Sequence, residues 1–280
     1  MCLAMISWGV AWTNAKIVND YFSYNNLVFM RYFSSFIVFL PILLFRGKSF
    51  LIPSRKTIIN IASVSFLYYL YNIYFFMGTD VGSAGKGGVF VTTINPIITF
   101  LIISLINKSM NKTQILGVFI GALGGCIILD VFRLGVGSFF IHENFYFLIC
   151  AITWGVITVV MTYGQKEYDS LSYIFLCYFL TSIIAFFFVD FSELTTFSNY
   201  TNRFLINFFF VSIGAMCFGT SIYMYAGPRL GAVETSVFIF TVPFIAISTA
   251  NIFLGEAITL NLILGGCMAI ISVYLVNFKS

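Results

Sequence analysis

Lys86 and Glu234 are the first residues to suggest chemistry, an ammonium and a carboxylate of the kind that together clamp an amino acid by its two charged ends. The other polar groups of interest are neutral and sit inside apolar runs. Tyr68, Tyr71 and Asn72 recur at three- and four-residue spacing, which puts them on one helical face. Thr92 and Asn95 precede Pro96, Thr241 precedes Pro243, and Trp12, Trp154, Thr158, Met216, Thr220 and Tyr223 add aromatic rings, a thioether and hydroxyls. None of these is a nucleophile beside a base. The sequence has no Ser/His/Asp set, no second histidine to join His142, no paired carboxylates in the apolar runs and no Walker motif. Covalent catalysis and ATP-driven work both lack their parts. These groups can instead hydrogen-bond and stack on a small molecule, without a metal or cofactor.

The elements that position them are membrane helices. Of 280 residues, 60% are hydrophobic and 9% charged, against roughly a quarter charged in soluble domains. Basic residues are scattered in pairs along loops, which excludes a nucleic-acid surface and leaves the lipid bilayer as the large partner. Apolar runs long enough to span a core of about 30 Å fall near 1–18, 26–45, 58–78, 83–106 and 113–132. A second set falls near 143–163, 171–190, 204–226, 231–254 and 257–277. The first run starts at Met1 without a basic lead-in or cleavage site, so it reads as a span rather than a removable signal. The six cysteines have no C-x-x-C spacing and read as small buried hydrophobes.

The sequence also repeats itself. Trp8-Gly9-Val10 returns as Trp154-Gly155-Val156, and Lys86, Pro96 and Leu116-Gly117 return as Glu234, Pro243 and Leu264-Gly265. The expected organisation is therefore two five-helix units, 1–135 and 136–280. An odd number of spans per unit inverts the second copy, giving an all-α protein of ten transmembrane helices. With the amino terminus inside, the inner loops carry Arg46, Lys48, Arg55, Lys56, Lys108, Lys112, Lys166, Arg229 and Lys279. The outer loops carry only Lys16, Arg133 and Arg203. That bias places both termini in the cytoplasm.

Inversion settles the clamp against itself. Lys86 opens its span near the outer surface and Glu234 opens its span near the inner one, about 20 Å apart along the membrane normal. A gate or vestibule role on opposite sides fits them better. Each span proline removes a backbone donor and frees the carbonyl four residues earlier, at Thr92 and Ile239. Paired breaks in inverted units point to a shared cavity at mid-depth, lined by the neutral residues named above. Arg31, about one and a half turns into span two, reads as a structural partner between helices. The Gly117-x-x-x-Gly121 spacing suits close helix packing or a dimer surface, so monomer and homodimer both stay open.

Taken in order, these pieces resemble the drug/metabolite transporter superfamily, specifically its bacterial EamA-type members. The resemblance rests on the two Trp-Gly pairs, Arg31, the two prolines, Leu254-Gly255-Glu256, Gly117 and Gly265, and covers nearly the whole chain. The first unit departs from the pattern, with Ile106-Asn107-Lys108 where Leu-Gly-Glu is usual. The resemblance implies a ten-helix carrier of the bacterial cytoplasmic (inner) membrane that works by alternating access. Relatives export amino acids and other metabolites, and some take up S-adenosylmethionine or carry nucleotide sugars. The implied function is movement of a small metabolite, an amino acid or related compound carried outward. Uptake of S-adenosylmethionine or a nucleotide-type metabolite is the alternative, and a non-transport scaffold or enzyme stands behind both. A proton or another ion is the open choice of coupling partner.

Overall fold

Five of the long helices start at a polar residue whose side chain accepts a bond from the third amide of the helix. Ser54 accepts from Thr57, Ser83 from Lys86, Asn111 from Gln114, Asp169 from Ser172 and Thr201 from Phe204. Each cap satisfies an amide that would otherwise be orphaned at the end of an apolar rod. The computed structural model describes residues 1–45, 54–108, 111–166 and 168–277. Arg46, Lys48 and Lys279 of the charge reading lie outside the described residues.

In chain order the long helices are α1 (Cys2–Val18), α2 (Tyr24–Phe45), α3 (Arg55–Val81), α4 (Ala84–Asn107) and α5 (Lys112–Ile128). Then follow α6 (His142–Gly164), α7 (Ser170–Phe186), α8 (Asn202–Leu230), α9 (Ala232–Leu254) and α10 (Leu260–Asn277). Helices α2, α3, α4, α6, α8 and α9 are each long and apolar enough to cross a membrane, and α5, α7 and α10 are shorter apolar helices. The outside is greasy, and the inside, though largely apolar, also holds many polar side chains. Phe45, Phe187, Leu105 and Ile252 are exposed, while Asn72, Thr99, Thr158 and Thr181 are fully buried. An apolar outside over a core that tolerates polar groups suits a chain whose solvent is hydrocarbon.

The two halves pack by one pattern used twice. Helix α1 lies on α8 and α9, and α6, its counterpart, lies on α3 and α4. Helix α2 touches α8 as α7 touches α3, while α2–α7, α4–α9 and α5–α10 each join a helix to its own counterpart. The Trp-Gly pairs explain part of this. A Cβ on Gly9 would stand 2.5 Å from the Ile245 Cβ on α9, and one on Gly155 would stand 2.7 Å from Ile98 Cγ2 on α4. Glycine is required at both places because each helix lies against a proline-bearing helix of the other half. Gly117, Gly121 and Gly124 are spent in the same way against α10, so the small-residue stripe serves packing within the chain.

Four expectations need correction. The paired proline breaks are not paired: α4 runs through Pro96 as continuous helix, whereas α9 tightens to a 3₁₀ turn over Phe238–Thr241 and restarts with Pro243 in its first turn. At that place proline costs no helical bond. The widest distortion is instead in α8, where Phe210–Thr220 forms a π-helix that contains no proline. The fifth span stops at Ile128 rather than 132, because Asp130 takes a left-handed conformation, φ 58°, that an aspartate tolerates. Cys2 and Cys267 are exposed on the apolar surface rather than buried.

Candidate functional site

A small cavity lies where α1, α2, α3, α4, α6 and α8 meet. Its volume is about 30 Å³, room for a few waters and far less than a metabolite needs. Helix α1 contributes Trp8, Ala11 and Trp12, and α6 contributes Trp154. Tyr71 and Phe75 come from α3, Thr92 and Asn95 from α4, and Ala215, Met216 and Thr220 from the π-helical part of α8. Arg31 of α2 completes the wall.

The rings form one connected surface. Trp8 meets Trp154 edge-on at 4.9 Å between centroids, Trp154 meets Tyr71 at 4.7 Å, and Trp12 meets Phe75 at 4.8 Å. Two of these contacts are edge-to-face and the third is tilted, geometries that favour fixed ring positions over a loosely packed apolar core. The π-helix also has a purpose here. Widening the helix turns its carbonyls away from the ordinary ladder, and side chains take them up. Ala215 O accepts from Trp8 Nε1 at 3.0 Å and from Thr220 Oγ1 at 3.1 Å, and Met216 O accepts from Tyr178 at 2.8 Å. Val211 O accepts from Arg31 Nε at 3.1 Å.

Of the thirteen residues expected around the cavity, the structure brings Trp12, Tyr71, Thr92, Asn95, Trp154 and Thr220 to its wall, together with Met216. Four others support the wall from behind. Asn72 accepts from Arg31 Nη1 at 2.5 Å and donates to the Tyr32 hydroxyl at 2.7 Å. Tyr68 packs on Trp154 at 5.8 Å, and Tyr223 bonds Thr158 at 2.9 Å beneath Trp8 and Trp154. Pro96 is buried in α4, one residue past Asn95. The last two lie elsewhere. Thr241 is exposed, and Pro243 faces a lateral apolar recess with Phe244, Ile247 and Cys267. Turning the 3₁₀ segment rotates them away from where an unbroken helix would aim them.

Sequence reasoning missed Trp8, Ala11, Phe75 and Ala215, and it gave Arg31 only half its place. Trp8 had a signal, as the counterpart of Trp154 in the repeat. Arg31 does bridge helices, bonding α3 and α8 and facing the rings of Phe75 and Phe76 at 5.3 and 5.8 Å. It is 5% exposed, and no carboxylate pairs with it among the described residues.

The described ion pairs gather instead at the end of the bundle that holds the α1–α2, α3–α4 and α9–α10 turns. Glu256 accepts from Ser83 Oγ at 2.5 Å, Ala84 N at 2.8 Å and Gly85 N at 2.9 Å, and Lys16 Nζ lies 3.9 Å away. A carboxylate from the second half thus caps α4 of the first. Lys86 pairs with Glu143 at 3.1 Å and, with Glu256, lines a polar vestibule of about 650 Å³. Glu193 accepts from Ser23 N at 2.7 Å, and Ser192 holds the Asp190 carboxyl below its usual range by two hydrogen bonds. Glu234 is exposed near the start of α9, at the opposite end.

A family model described as "EamA-like transporter family" matches residues 1–130 and 142–278. An "Uncharacterized transporter YvbV" of Bacillus subtilis (strain 168) is 24% identical over 175 residues, which are 62% of this chain and 57% of that relative. The matched segment therefore spans a little over half of the relative's length. A solved crystal structure covers 99% of the chain and 96% of its own, with a TM-score of 0.68 at 13% identity, a likeness of fold alone.

Proposed function

The chain belongs to the EamA-like transporter family, and from that premise we propose that it is a secondary transporter carrying a small metabolite across the cytoplasmic membrane. The cargo is an amino acid or related compound, moved outward by alternating access. The supporting observation is the cavity itself. It is walled by helices of both halves, it lies between two ends closed by different polar groups, and at about 30 Å³ it is contracted below the size of any cargo. Such a cavity works only if the halves part, first toward one side and then toward the other. The swapped contact pattern supplies the means, since each half presents the other with the same surface. In this reading all ten long helices cross the bilayer, units 1–135 and 136–280 are threaded in opposite senses, and the Glu256 end faces outward. Lys86 then belongs to the outer gate and Glu234 to the inner vestibule, where neither clamps the cargo.

The test is solute counterflow in sealed proteoliposomes across a library of amino acids, S-adenosylmethionine and nucleotide sugars, with and without a proton gradient. Saturable flux of at least one compound is expected, reduced tenfold or more by Tyr71→Ala. Uniformly zero flux in vesicles that hold their contents overturns the transporter reading.

A further inference from the structure

The cavity has one full charge, and no carboxylate among the described residues pairs with it. Arg31 keeps its proton at any physiological pH, and a guanidinium inside a membrane bundle ordinarily finds a carboxylate. Here its described bonds go to two neutral acceptors, the Val211 carbonyl and the Asn72 side chain, while two phenyl rings lie near its carbon. These soften the cost of burial without cancelling the charge. The repeat sharpens the point: the matching position of α7 is Tyr178, so the positive charge stands on one side of the cavity only.

Two other buried polar atoms on the same wall lack a well-formed bond. Asn95 Oδ1 accepts none, and the Trp154 indole N–H has only a loose contact with the Tyr223 hydroxyl, although its counterpart Trp8 is bonded to Ala215 O at full geometry. Asn95 is 2% exposed and Trp154 4% exposed. Leaving such groups unmade is expensive unless something visits to complete them. A cation, an orphan acceptor and a loosely held donor around one hollow describe the outline of a ligand with complementary groups.

We propose that Arg31 is the anchor for a substrate carboxylate, that Trp154 Nε1 donates to the same or a neighbouring oxygen, and that Asn95 Oδ1 takes an N–H of the ligand. This rests on the cavity being the transport site, and it gives the amino-acid cargo proposed above its anchoring residues, one for each charged end. Amphipathic cations, which an aromatic lining alone would welcome, are excluded because they would meet Arg31 head-on. A carboxylate on the planar guanidinium makes charge-assisted bonds, and in this dry setting they are strong.

The protein carries its own reporter, since its three tryptophans, Trp8, Trp12 and Trp154, all line the cavity. The experiment titrates purified full-length protein by tryptophan fluorescence with matched triples built on alanine, leucine and phenylalanine: the free acid, its primary amide and the decarboxylated amine. In at least one series the acid is expected to give a saturable change, with the amide and the amine each at least tenfold weaker. Asn95→Leu should narrow the gap between leucine and 4-methylpentanoate, which lacks the amino group. Arg31→Lys, which keeps the charge but loses the planar fork, should weaken acids more than tenfold and leave amines unaffected. An amine that binds as tightly as its acid, or no response to any acid, overturns the proposal. Counterflow on the same triples separates the two readings. Flux of amines in preference to acids keeps the transporter and removes the anchor, whereas acid-selective fluorescence with no flux keeps the anchor and removes the transporter.

Discussion

At the end of the bundle that holds the α9–α10 turn, Glu256 reaches from one half into the helix start of the other, with Lys16 beside it. At the opposite end the described contacts between helices are hydrogen bonds to neutral groups. Asn60 donates to Val160 O at 3.1 Å and accepts from Tyr173 at 2.5 Å, Gln165 donates to Met224 O at 3.1 Å, and Arg229 donates to the Ser170 hydroxyl at 3.1 Å. Three ion pairs occur among the described residues, and all lie at the first end. The packing of the halves is nearly symmetric, yet the closures are not. A carrier whose two ends were closed by equal means would rest in either state. Under the alternating access proposed above, unlike polar groups on a symmetric frame would bias the chain toward closure at the end that holds the described ion pairs.

The largest effect should follow from removing the Glu256 carboxylate. Glu256 is the only latch residue that bonds two helix-start amides at once, and its side chain is 15% exposed, so water screens it little. Bonds to a charged group contribute about 1.5–3 kcal/mol each, and replacement by water returns part of that. Glu256→Ala should therefore weaken closure by roughly 2–4 kcal/mol, a shift of about thirtyfold or more in the open population. Iodide quenching of the cavity tryptophans in oriented vesicles reads this directly. Quenching should rise when iodide is added on the Glu256 face and stay unchanged from the other. Equal quenching from both faces would mean that Glu256 holds the fold rather than the gate.

A change of opposite sense should come from Gly164→Ala. The added Cβ would overlap the Asn60 carboxamide and push it away from Val160 and Tyr173. Overpacking of this kind costs about 1–3 kcal/mol, charged here to the neutral end alone. Quenching should rise several-fold from the face that carries Arg229. If it rose from the Glu256 face instead, the two ends would be coupled so tightly that straining one opens the other.

The fold was far more legible in the sequence than the site. Hydrocarbon length fixes the span of a helix, and duplicated landmarks such as Trp8-Gly9 and Trp154-Gly155 fix which helices correspond. The wall of the cavity depends on rotation about helix axes, which sequence spacing gives only while a helix stays regular. That is why Tyr71 and Asn95, on regular helix, reach the cavity wall, and why Thr241, which ends a 3₁₀ turn, does not. The π-helix of α8 follows from no proline, and its cause is tertiary: Trp8, Arg31 and Tyr178 each need a carbonyl there. Glu256 was legible as the end of a helix but not as the cap of another, because nothing in the sequence places Ser83 beside it.

The Lys86–Glu143 pair gives the finest test of the contrast between the ends. It joins α4 to α6 at 3.1 Å on the charged side, so on geometry it belongs to the latch. Its two side chains are 21% and 32% exposed, however, and neither bonds a helix-start amide of the other half in the way Glu256 does. Exposed pairs contribute about 0.2–1 kcal/mol and weaken with salt. Lys86→Met should therefore raise quenching from the Glu256 face only by about twofold to fivefold at low ionic strength. At high salt, set with a non-quenching salt at constant iodide, the difference from the native protein should vanish. Glu143→Gln should match it, and the double variant should add nothing further, since each single change already removes the pair. An effect as large as that of Glu256→Ala, or one indifferent to salt, would show that closure is shared among the charges rather than concentrated where a carboxylate meets backbone amides.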